Sequence, residues 1–167
     1  MSQHPHLASL TAFLPVAGDP EELRDIFSQD AHLWLPDGRQ LSEERSAVVV
    51  HGADSARTVV VTVGQPWTAG RTLWRALSWE AFGDADSRRD VVAVPSTLDA
   101  EIGLYTAADA ASLVLDGRYP LPPRQRIGTE ELSSLQRVAQ SAANRFLEEV
   151  VARLSAIAEE RTPVTVG

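Results

Sequence analysis

The chain has 167 residues, 15 basic and 23 acidic, for a formal net charge of −8; every basic residue is arginine, and lysine and cysteine are both absent. That composition excludes a disulfide scaffold, a thiolate nucleophile, a cysteine-type zinc site, Schiff-base chemistry and a Walker-type phosphate loop. The acidic balance argues against a surface that wraps nucleic acid or docks on anionic lipid, because both demand a basic excess. A hydrophobic fraction of 44% and a charged fraction of 23% are ordinary globular values. One domain over residues 1–167 is expected, with a mobile start (1–6) and a mobile tail (161–167). No apolar run approaches the ~18 residues of a membrane span. Met1 to His6 lacks the basic and apolar regions of a signal peptide, so a cytoplasmic location is expected.

Leu7, Leu10, Phe13 and Leu14 have helical spacing, and Pro15 ends that stretch. Asp19-Pro20-Glu21-Glu22 reads as a helix start, with Asp19 as N-cap, Pro20 in the first helical position and Leu23, Ile26 and Phe27 as the buried stripe. Leu33-Trp34-Leu35, Pro36-Asp37-Gly38 and Arg39-Gln40-Leu41 read as a hairpin across an Asp-Gly turn. The valine-rich segments Ala47 to His51 and Thr58 to Val63 are close in sequence, which predicts an antiparallel pair.

The spacing of Trp74, Leu77 and Ala81 then predicts a central helix ending at Gly83, followed by a solvated loop at 84–90 and a strand from Val91 to Val94. Leu98, Ala100, Ile102 and Leu104 alternate with polar residues as a half-exposed strand does. Leu113 to Leu115 is the last expected strand, closed by a turn at Asp116-Gly117-Arg118. After a proline connector, Thr129 caps a helix of about 30 residues, or about 45 Å. Its apolar face runs through Leu132, Leu135, Ala139, Phe146, Val150, Leu154 and Ile157.

Catalytic chemistry is thinly represented. His4 and His6 fall in the start of the chain, and His32 and His51 read as strand-end residues. The dinucleotide, nucleophile-elbow and zinc-protease motifs are missing. Asp99 and Glu101 share a strand face and read as its solvent side. Neither cofactor nor metal is expected. Trp79 lies off the stripe of Trp74, Leu77 and Ala81, so it is expected at a surface or partner contact, with Trp67 as a second candidate. The distal stripe of the long helix, Phe146, Val150, Leu154 and Ile157, is the candidate dimer or partner surface.

The order helix, antiparallel strands, helix, further strands and long C-terminal helix resembles the fold shared by type III secretion chaperones and the YbjN-like family. The residues that carry the likeness are Leu33 to Arg39, the valine strands through Val63, the helix around Leu73 to Leu77, the stretch Ser112 to Pro122, and the acidic-capped helix from Thr129 through Phe146. The resemblance implies an α+β protein in which N-terminal and central helices flank an antiparallel sheet. It also implies a non-enzymatic, homodimeric, protein-binding module that acts as a chaperone or adaptor. The charge of −8 adds a basic client, such as a nucleic-acid-binding protein, without direct contact to nucleic acid. The alternative is a small toxin-like nuclease or other enzyme on a compact β-barrel; it needs a basic groove, which the charge opposes.

Overall fold

The computed structural model describes residues 6–36, 38–52, 56–82, 94–121 and 128–161. The architecture is α+β: an eight-stranded antiparallel sheet holds a short N-terminal helix and one long C-terminal helix against its inner face. The strands are β1 (Leu7–Val16), β2 (Gly38–Gln40), β3 (Arg45–His51), β4 (Ala56–Val63), β5 (Trp67–Ala69), β6 (Thr72–Ala81), β7 (Thr97–Thr106) and β8 (Ala111–Pro120). The helices are α1 (Pro20–Ser28) and α2 (Thr129–Arg161), and a 3-10 turn occupies Ala31–Leu33. The sheet runs β1-β8-β7-β6-β4-β3-β2, with β5 paired to β6 beside that path.

Several local expectations hold. Asp19 caps α1, its carboxylate accepting the Glu22 N–H at 3.2 Å, and Leu23, Ile26 and Phe27 are buried. β3 and β4 pair antiparallel with Val48 opposite Val59, and β7 turns Leu98, Ala100, Ile102 and Leu104 inward. The long helix begins at Thr129 and extends 33 residues, about 50 Å.

Four segments differ from their sequence reading. Residues Leu7–Val16 form a strand, because β8 supplies ten register partners from Leu7↔Pro120 to Val16↔Ala111. The residues turned inward are the small or medium Ala8, Leu10 and Ala12, while Leu7 and Phe13, which suggested a helix, face outward. The expected central helix is also a strand, β6, hydrogen-bonded between β4 and β7. Its inward set is Leu73, Arg75, Leu77 and Trp79, and the arginine conceals the two-residue alternation. The family resemblance thus loses one of the helices on which it was drawn.

Asp116-Gly117-Arg118, the third, continues β8. A Cβ at position 117 would lie 2.7 Å from the Ala100 Cβ, so this glycine admits close strand approach and makes no turn. The fourth is the first expected hairpin: Leu33-Trp34-Leu35 forms no strand, because the 3-10 turn ends at Leu33 and Trp34 and Leu35 enter the core, and Gly38–Gln40 pairs with β3 instead. The loop at 84–90 and most of the expected strand at 91–94 lie outside the described residues, as do residues 1–5 and the tail at 162–167.

Arg75 explains how α1 is held. Its guanidinium donates to the carbonyls of Gly64 at 2.9 Å, Phe27 at 2.8 Å and Gln29 at 2.6 Å, and it lies 5.7 Å from the Trp34 ring centroid. It therefore satisfies carbonyls at the C-terminal end of α1 that the helix itself leaves without donors. Burial lowers its pKa from the ordinary arginine value, and Asp30 opposes that shift.

Tyr119 is buried, and burial raises its pKa above the usual 10.0. The sign follows from linkage: above the unfolded value the unfolded chain has released the proton that the folded chain retains. The stabilising contribution is complete below pH 10 and is lost as the pH rises through the folded pKa. Lysine and cysteine are absent, so tyrosines are the side chains that ordinarily titrate between about pH 9 and about 11. Urea midpoints measured across that range should fall for the wild type and fall less for Tyr119→Phe.

Candidate partner-binding face

Most of the side chains expected to meet a partner lie inside the fold. Trp79 is only 1% exposed, and Phe146, Val150 and Leu154 are buried; Ile157 is half-buried against the same core. The structure does bring Trp79 and Phe146 together, edge to face at 5.7 Å, and the Trp79 indole N–H donates to the Pro95 carbonyl at 3.0 Å. The surface placement expected of Trp79 is corrected because a strand, unlike a helix, puts 73, 75, 77 and 79 on one face. The distal half of α2 docks on its own chain: the Ser155 hydroxyl donates to the Ala17 carbonyl at 2.9 Å, and Arg161 pairs with Asp25 at 3.1 Å. The stripe proposed for a dimer is thereby covered by this chain's own sheet and α1.

Trp67 is different: it is 41% exposed and belongs to an aromatic row on the outer face of the sheet. Directly opposed residues in antiparallel strands share a face. Phe13 stands opposite Val114, Val114 opposite Gly103, Gly103 opposite Trp74, and Trp74 opposite Trp67. The row thus crosses β1, β8, β7, β6 and β5. Phe13 is 63% exposed, and Tyr105, two residues from Gly103 on the same face of β7, is 42% exposed. Gly103 shows where the Trp74 ring lies, since a Cβ there would come within 2.6 and 2.8 Å of two ring carbons. The indole therefore lies across β7, with Tyr105 on one side along the strand and Glu101 on the other.

The next row is acidic. Thr11 stands opposite Asp116, Asp116 opposite Glu101, and Glu101 opposite Ala76. This row lies two residues, about 7 Å, along the strands from the aromatic row. Among the described residues neither the Glu101 nor the Asp116 side chain has a hydrogen bond or ion pair. Like charges directly opposed across strands destabilise the pair unless a cation joins them. Arg118, on the same face, stands opposite Asp99.

Of the remaining candidates, His32 sits in the 3-10 turn and His51 ends β3 opposite Ala56, so they are not neighbours across strands. Among the described residues, no group of three or more His, Cys, Asp or Glu is placed to hold a metal ion, and no helix is long and apolar enough to cross a membrane. A recess of about 110 Å³ lies where α2 passes the segment 32–46, lined by His32, Gln40, Ser46 and Arg153 with Leu35, Pro36 and Gly38. Deeper in, Trp34 stacks on Phe27 at 4.9 Å, and its buried indole N–H lacks an acceptor among the described residues.

No family model matches the chain, and no curated protein matches it. Solved structures do share its architecture. The protein of unknown function SA2116 from Staphylococcus aureus aligns with a TM-score of 0.53 at 7% identity, over 93% of this chain and 96% of that one. The KanY protein (ms6282) gives 0.52 at 17% identity, over 92% and 99%. The ZhuI aromatase/cyclase from Streptomyces sp. R1128 gives 0.51 at 13% identity, over 97% and 99%. At these identities the likeness establishes the fold alone, a helix-grip-like arrangement of a curved antiparallel sheet and a long C-terminal helix.

Proposed function

We propose that this chain is a non-enzymatic protein-binding module, an adaptor or chaperone that works in the cytoplasm on a partner with a basic surface. One observation carries the reading: the row of Phe13, Val114, Trp74 and Trp67, with Tyr105 beside it, on the outer face of the sheet. Isolated apolar side chains are normal on a surface, whereas a contiguous apolar stripe rich in aromatics marks an interaction site. Acidic residues border the stripe and the chain carries −8, which steers basic partners toward it.

The test is affinity capture from lysate with wild type and with Phe13→Ser/Trp67→Ser, followed by reconstitution of any captured pair from purified proteins. Both substituted side chains are exposed, so the variant keeps its core. The expected result is a basic protein retained by wild type and lost by the variant. Equal retention by the two forms overturns the reading.

A second reading, retention of a small polar ligand, is favoured by the recess between α2 and segment 32–46. There His32, Gln40, Ser46 and Arg153 converge from four separate elements.

A further inference from the structure

We infer that the outer face holds a specific subsite for an arginine side chain of the partner, with its guanidinium stacked on Trp74 and its N–H groups directed at Glu101 and Asp116. This inference rests on the reading of that face as the partner's site. The Trp74 ring lies over Gly103, between Tyr105 and Glu101 along β7, and the residue is partly exposed. A cation centred on an indole face is attracted by the ring quadrupole, and the neighbouring carboxylates add a charge-assisted bond.

Glu101 and Asp116 stand opposite one another on β7 and β8, so their Cβ atoms are about 5 Å apart. That spacing suits a planar fork of donors better than a single ammonium point charge. The two carboxylates repel each other as they stand, and a bound cation removes that repulsion.

The same chemistry operates inside this protein, where the Arg75 guanidinium lies 5.7 Å from the Trp34 ring centroid while donating to carbonyl oxygens. Other occupants suit the face less well. Nucleic acid brings phosphates to an acidic row, and a second copy brings another acidic row and a charge of −8.

The experiment uses the full chain and a fluorescein-labelled Gly-Arg-Gly-Arg-Gly peptide, with lysine and citrulline versions, followed by anisotropy at about 150 mM salt. Citrulline retains the planar shape and loses the charge. Arginine should bind several-fold tighter than lysine and at least about tenfold tighter than citrulline. Glu101→Gln/Asp116→Asn should weaken the arginine peptide by about tenfold. Glu159→Gln/Glu160→Gln, the same charge change at the exposed end of α2, should alter it by less than about twofold.

Equal losses in the two charge variants, equal affinity for arginine and citrulline, or no binding of the arginine peptide overturns the subsite. Partner capture that still depends on Phe13 and Trp67 while arginine and citrulline bind alike leaves the adaptor reading standing and removes only the arginine subsite. A defined dimer in sedimentation that Phe13→Ser/Trp67→Ser dissolves assigns the face to a second copy and overturns both.

Discussion

Trp79→Ala should lower the unfolding free energy by about 3–5 kcal/mol, the cost of removing a fully buried aromatic side chain. The ring is 1% exposed, meets Phe146 edge to face at 5.7 Å, and anchors the approach to β7 through its indole N–H and the Pro95 carbonyl. Against a total stability on the order of 5–15 kcal/mol, that loss is large. At roughly 2–4 °C per kcal/mol for a chain of this size, the melting midpoint should fall by about 6–20 °C. Guanidinium titration followed by circular dichroism measures the change directly. A tryptophan that served only as a surface contact would change stability by less than about 0.5 kcal/mol, so an unchanged midpoint would return Trp79 to the surface.

Removal of Arg75 should act on a different part of the molecule. Arg75→Met preserves most of the buried volume but leaves the carbonyls of Phe27, Gln29 and Gly64 without their donor. A buried acceptor left without a partner costs about 1–3 kcal/mol, so a total near 3 kcal/mol is expected. Replacement of a buried ion pair by hydrophobic residues is often tolerated, because both charges leave together. Here the acceptors are backbone and cannot be removed. Arg75→Lys retains the charge but presents its three donors from a single nitrogen, and should fall between Met and wild type. Hydrogen exchange supplies the local signature: the last turn of α1 and the 3-10 turn that follows it should open in Arg75→Met before the β7–β8 ladder does.

The elements differ in how far they can be read from neighbouring residues alone. The cap of α1 is contained within Asp19 to Glu22, and the 33 residues of α2 carry their own period and their own N-terminal acids. The alternation in β7 is plain because polar residues occupy Asp99, Glu101 and Tyr105. β1 and β6 fail the same local test for opposite reasons. In β1 the inward residues include two alanines and the outward ones include leucine and phenylalanine, so size misleads. In β6 the inward set contains an arginine whose partners are carbonyls 46 and 48 residues earlier and a third at Gly64. No window of a dozen residues around Arg75 contains the carbonyls of Phe27 and Gln29.

The candidate site was legible only in fragments. Trp67 was recognisable as an aromatic suited to a contact, and Glu101 as a residue of a solvent face. Phe13 and Trp74 were assigned to helical stripes, Asp116 to a turn, and Tyr105 to the exposed side of its strand with no link to the others. What joins these residues is strand order: β1 lies beside β8, and β8 beside β7 and thence β6, which places residues 13, 114, 103 and 74 in one line. The one sequence clue was glycine inside an alternating strand, a sign of close approach at Gly103 and Gly117.

By itself the sequence determined the composition-level exclusions, the charge of −8, the capped N-terminal helix, the β3–β4 pair, the β7 alternation and the length of α2. These depend on bonds and periods that close within a few residues. Only the tertiary structure decided that Leu7–Val16 and Thr72–Ala81 are strands, that Trp79 and the distal face of α2 are core, and that an aromatic row meets an acidic one on the outer face. Those outcomes depend on partners outside the segment itself, about 100 residues away for β1 and between about 14 and about 33 for β6, where the hydrogen-bond ladder of a neighbouring strand outweighs a local preference of a few tenths of a kcal/mol per residue. The −8 acquires a location in the same way: the carboxylates of Glu101 and Asp116, unpaired among the described residues, stand one row from Trp74, where the arginine subsite is proposed.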